Sequence, residues 1–189
     1  MNKIINALEA TKKIKMGETN YYNVMLAQRV EGPTNAGSSY NMSVEEIAEA
    51  IKSADWQEVQ HPSVMAGCTA YKAPIAGLVG ILPIEELEEN TVFYAIDPKG
   101  TGKISIGAVG VSKIPCDFSY LIIGKEEIEG KETDVVYTIH AGEPVSPSLL
   151  EAGDIKDGDQ LTKAQALELG FSLCKYMSPE MVAEYEQRK

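Results

Sequence analysis

His61 and His140 are the only imidazoles in the chain. They come first because imidazole is the one side chain whose ordinary pKa lies near neutrality. Brought together, they could act as acid and base in a metal-free hydrolysis of RNA or another ester. His140 closes the apolar run DVVYTIH and Glu143 follows closely, so a His140/Glu143 pair is a second arrangement, with Lys103 or His61 assisting. The sequence does not say whether the two histidines meet, and a histidine at a strand end serves equally well as a hydrogen-bonded structural residue.

Other chemistries fit their motifs less well. DPKGTGK, Asp97 to Lys103, has the glycines and lysine of a phosphate loop, but its spacing departs from G-x-x-x-x-G-K-[ST] and the strand-like ISIGAVG follows it rather than a helix. A hairpin turn accounts for Pro98, Gly100 and Gly102. DIKDGD, Asp154 to Asp159, resembles the start of a calcium loop. Counting from Asp154, however, the third position is Lys156 and the twelfth is Gln165, where oxygen ligands belong. Cys68, Cys116 and Cys174 are odd in number, far apart and outside any CxxC pattern. They read as free thiols behaving as small buried hydrophobes, not as zinc ligands or a disulfide frame. No metal and no cofactor is implied, and no motif carries a family resemblance.

The segment after His140 stands out by length. Ala141 to Gln160 joins a strand to a helix through about twenty residues, and connections this long are disproportionately functional. Ser146 and Pro147 can open one helical turn through Leu149 and Leu150, ended by Gly153. This crossover is the candidate binding surface, with Asp154, Asp157 and Asp159 as its charged contacts and Lys103 as a further binding residue.

Elements must position these residues. Residues 2–13 read as an amphipathic helix carrying Ile4, Ile5 and Leu8. YYNVMLAQRV reads as a strand on the alternation of Tyr22, Val24 and Leu26, and EGPTNAGSSYN as a loop. SVEEIAEAIKSA opens with a capping box of Ser43 and Glu46. A short strand follows at Trp56–Val59, and LPIEELEEN reads as a short helix. After Asn90 the period changes to two. TVFYAI, KISIGAVGV, FSYLIIG and DVVYTIH are four strands spaced as antiparallel neighbours of a meander. A second capping box, Thr162 with Gln165, opens a helix stopped by Gly170. FSLCKYM is a late strand, and Ser178–Pro179 start a last helix to about Gln187. The class is α+β: a mostly antiparallel sheet, residues 91–140 plus a strand near 171–177, with flanking helices. We expect one domain over 1–189, with an α/β subregion at 1–82 and a sheet-plus-helix subregion at 90–189.

Composition limits the function. The chain has 189 residues, 44% hydrophobic, and a formal net charge of −11. A domain of this size buries roughly 70% of its unfolded surface and needs no staple. Excess acid disfavours direct nucleic-acid binding and anionic membranes, and suits a basic protein surface or a small molecule as partner. The N-terminal stretch lacks a secretory pattern, and the apolar run Ala73–Ile84 is too short to span a bilayer. These features fit a soluble cytoplasmic protein. The expected function is a non-enzymatic acidic binding or inhibitory protein. The alternative is a small metal-independent hydrolase or nuclease using His140 and Glu143.

Overall fold

A computed structural model describes residues 2–30, 40–62, 64–97 and 99–187. Positions 31–39 of the EGPTNAGSSYN segment and Pro98 of the DPKGTGK turn lie outside the described residues. The architecture is α+β, with helices flanking sheets dominated by antiparallel pairs. Contacts divide the chain into two compact units. Among the described residues, one comprises 2–30, 40–78 and 115–144, and the other 79–114 and 145–187.

In the first unit, helix α1 spans Lys3–Thr11, capped by Asn2, whose side chain accepts from the Ile4 amide. Its buried residues Ile4, Ala7, Leu8 and Thr11 fall on one face at helical spacing. Helix α2, Tyr21–Val30, stands where alternation suggests a strand. The cause is legible afterwards. The Asn20 side chain accepts from the Asn23 amide at 2.8 Å, an N-cap, and the buried residues are Tyr22, Met25 and Leu26, an i, i+3, i+4 set. Helix α3, Val44–Ser53, carries both bonds of the expected capping box and buries Ile47 and Ile51. These faces join Tyr71, Leu121, Ile123, Val136 and Ile139 in one core. Each fully buried Leu or Ile there is worth about 1.5–3 kcal/mol relative to exposure.

The sheet of this unit has four strands. Ser119–Ile128 lies between Lys131–Ala141 and Thr69–Ala73, and Gln57–Val59 forms the far edge. A bulge interrupts the long hairpin. Pairing passes from Ile122↔Thr138 to Ile123↔Val136, so Tyr137 has no residue opposite it. Register then sets two rows across the sheet: Gln57, Lys72, Tyr120 and His140 in one, and Val59, Ala70, Ile122 and Thr138 in the next.

In the second unit, Val92–Ile96 and Lys103–Val109 form an antiparallel hairpin, and the late strand Leu173–Met177 pairs parallel to Lys103–Val109. Gln160–Thr162 and Ile81–Pro83 complete this sheet at its edges. The buried set includes Leu82, Ile84, Phe93, Ile104, Ile106, Phe171 and Cys174. Helix α4, Lys163–Glu168, begins at the second capping box, and helix α5 spans Pro179–Gln187. LPIEELEEN supplies one 3-10 turn, Ile84–Glu86.

Two finer expectations change. The four consecutive strands are two hairpins in two different sheets, because Ser119–Ile128 takes Thr69–Ala73 as its second neighbour and not Lys103–Val109. The helical turn expected at Ser146–Leu150 is absent. Instead Leu150 and Glu151 pair as a short strand with Ile104 and Lys103. Pro144 and Pro147 disfavour the helical region for the residues before them, Glu143 and Ser146, which keeps the segment extended.

Candidate functional site

Long-range register brings the two histidines to one region of the first unit. Tyr120 is directly opposite His140 in the ladder, so both side chains stand on the same face. His61 packs its ring edge-on against Tyr120, with centroids 5.0 Å apart. Lys72, the other neighbour of Tyr120 in its row, places its Nζ 4.0 Å from the centroid of Phe118. Beside them a pocket of about 240 Å³ is lined by Glu58, Gln60, His61, Cys68 and Thr69, among others.

His140 is half-buried, and its Nε2 lies 3.1 Å from Thr138 Oγ1. Arg29, from helix α2, donates from Nη2 to the same Thr138 oxygen at 3.2 Å. Burial first, and the Arg29 cation second, push the imidazole pKa down to about 3. An imidazolium there would lose water and face a guanidinium that is always charged. Glu143 is exposed, and among the described residues no hydrogen bond or ion pair joins it to His140. Its charge acts instead on Tyr120, whose phenol pKa is raised by burial and then by Glu143. Arg29 is the residue sequence reasoning missed. The signal was the Asn20 cap, which would have made YYNVMLAQRV a helix and aimed Arg29 at the sheet.

The crossover carboxylates have separate duties in the second unit. Asp157 accepts from the Asp97 amide at 2.6 Å and from the Tyr185 hydroxyl in a short contact. Asp159 accepts from the Lys156 amide at 2.8 Å, closing the DIKDGD turn on itself. Asp154 is exposed. Among the described residues no group of three or more His, Cys, Asp or Glu side chains is placed to hold a metal ion.

DPKGTGK connects the Val92–Ile96 and Lys103–Val109 strands. Its amides at Thr101 and Gly102 donate to the Asp97 carboxylate at 3.0 and 2.9 Å. Those bonds, from Gly102 and then Thr101, hold the Asp97 carboxyl below its usual pKa. The chain's own carboxylate thus occupies amides that a phosphate loop would present to its ligand. Lys103 lies 3.6 Å from Glu151, an exposed pair. The three cysteines are free thiols. Cys174 is fully buried, which pushes its pKa up to about 12, whereas Cys68 and Cys116 are only half-buried. No helix among the described residues is long and apolar enough to cross a membrane. No protein-family model, curated protein or solved structure matches the chain.

Proposed function

We propose that this chain is a non-enzymatic binding or inhibitory protein that engages a basic protein surface or a small molecule. The observation that carries this reading is the state of His140. A general base works best with a pKa near the operating pH, and a general acid must carry its proton there. An imidazole held near 3 by burial and by Arg29 does neither at neutral pH. It fixes the end of a strand beside Thr138. The net charge of −11 supports a cationic partner and disfavours nucleic acid or an anionic membrane surface. Free thiols fit the reducing cytoplasm. Of the crossover's three candidate aspartates, Asp154 is the one left for a partner, since Asp157 and Asp159 hold their own turns.

A second reading, hydrolysis of an ester or RNA, draws on one observation: His61 and His140 both neighbour Tyr120 on one sheet face. One pair of experiments separates the two. The purified protein is offered phosphodiester, RNA and ester substrates, and is used separately as bait at low salt. The binding reading expects no turnover above background and a partner released by salt. Asp154→Lys should slow association with that partner, and His140→Ala should change its affinity by less than about tenfold. Turnover that falls at least about a hundredfold in His140→Ala would overturn the proposal.

A further inference from the structure

A groove of about 320 Å³ opens in the first unit beside the outer end of the long hairpin. Its lining includes Ile14, Ile128, Tyr21, Tyr137, Glu126 and Glu127, and as consecutive residues of one strand the two glutamates turn their side chains to opposite faces. Both rings are fixed. The Tyr21 hydroxyl donates to the Tyr137 carbonyl at 2.7 Å, and the Tyr137 hydroxyl donates to the Lys125 carbonyl at 2.8 Å. The Tyr137 ring lies where a side chain at position 124 would be. A Cβ on Gly124 would fall 2.3 Å from Tyr137 Cε2, so the glycine is what seats the ring. The bulge at Tyr137 frees this residue from the ladder to take that place.

The hairpin's carboxylates sort into two kinds. Glu132 and Asp134 pair with Lys125 at 3.5 and 3.1 Å. Glu126 and Glu127 have no lysine or arginine partner among the described residues, and the Glu126 carboxylate interacts with the Tyr137 hydroxyl. Apolar side chains, two immobilised aromatic rings and a carboxylate without a cationic partner match one chemistry: a cation on a flexible apolar stem. We propose that this groove receives a lysine or arginine side chain of a protein partner. The inference rests on the binding reading above and gives it a contact. Charge complementarity to an acidic chain favours a protein-borne cation, and the volume lies in the range of a preformed side-chain or small-ligand pocket.

The test is an amide chemical-shift titration of the full chain with three probes. They are the blocked peptide acetyl-Gly-Arg-Gly-amide, its citrulline counterpart, and n-butylguanidinium. We expect saturable shifts confined to residues around Tyr21 and 126–137 with the arginine peptide, weaker ones with n-butylguanidinium, and none with the citrulline peptide. Glu126→Gln/Glu127→Gln should weaken the arginine peptide by about tenfold, whereas Glu132→Gln, whose carboxylate faces Lys125, should not. No saturable shift with either cation, equal shifts with citrulline, or an unaffected double variant would overturn the groove. n-Butylguanidinium binding more tightly than the peptide would overturn the protein-borne source. The two proposals fail separately: turnover dependent on His140 removes the binding reading whatever the titration gives, and a silent groove leaves the captured partner and its salt dependence intact.

Discussion

Thr11→Val probes the contact that ties α1 to the bulge behind the histidine face. Thr11 is fully buried. Its Oγ1 accepts from the Val136 amide at 2.8 Å and donates to the Ala7 carbonyl at 2.6 Å. Val136 is adjacent to Tyr137, where the ladder loses a partner, so this hydroxyl satisfies an amide the bulge has displaced. Valine keeps the shape of threonine and removes the acceptor. A buried amide left unsatisfied costs about 1–3 kcal/mol. For a chain of this length each kcal/mol lowers Tm by about 2–4 °C, so the expected loss runs from about 2 to 12 °C. The Val136 amide should also exchange with solvent faster. Thr11→Ser keeps the hydroxyl and drops one methyl, costing about 1 kcal/mol with the Val136 amide still protected. Thermal melts and amide exchange on the three proteins decide the matter. A Thr11→Val protein as stable as the parent, with Val136 still protected, would refute this account of the bulge.

Three further outcomes follow from the same structure. His140 has a folded pKa of about 3 against an ordinary 6.5. The unfolded chain therefore takes the proton first, and stability complete above pH 6.5 is lost as pH falls toward 3, at about 1.4 kcal/mol per unit. His140→Gln should abolish the loss of about 2 kcal/mol between pH 7 and 5, a window above that of the carboxylates Asp97 and Glu46, whose pKa values are lowered from already acidic ones; parallel slopes for parent and variant would contradict the burial of the ring. Ile122→Asp, at a position 7% exposed between Ala70 and Thr138, should cost more than about 3 kcal/mol by burying an unpaired charge, and a soluble variant with the parent's Tm would show the side chain is not buried. EDTA should leave Tm unchanged, since no ligand cluster is present among the described residues; a drop reversed by one specific ion would contradict that.

What the sequence made legible was local. Ser43 with Glu46, Thr162 with Gln165, and Ser178 before Pro179 each announce a helix start through a side chain that meets amides within one turn. Helix α2 escaped because Tyr22, Val24 and Leu26 mimic period two, while the burial that matters is Tyr22, Met25 and Leu26. That single misreading also hid Arg29, the second cause, after burial, of the lowered His140 pKa. Strand identity was legible, but sheet membership was not. Nothing near Ser119 tells it to pair with Ala73 across more than forty residues, and that pairing, not any motif, brings His61, Tyr120 and His140 together. The crossover was visible as a long connection, but not the fact that two of its three candidate aspartates are spent on the chain's own amides.

What separates a binding protein from a hydrolase here is the protonation of one imidazole, and an NMR titration of the His140 ring resonances, assigned with a His61→Gln variant, measures it directly. The binding account predicts a neutral ring with no midpoint between about pH 8 and 5 and an apparent pKa near 3. A midpoint between about 6 and 7.5 would make His140 a competent acid–base group and contradict it.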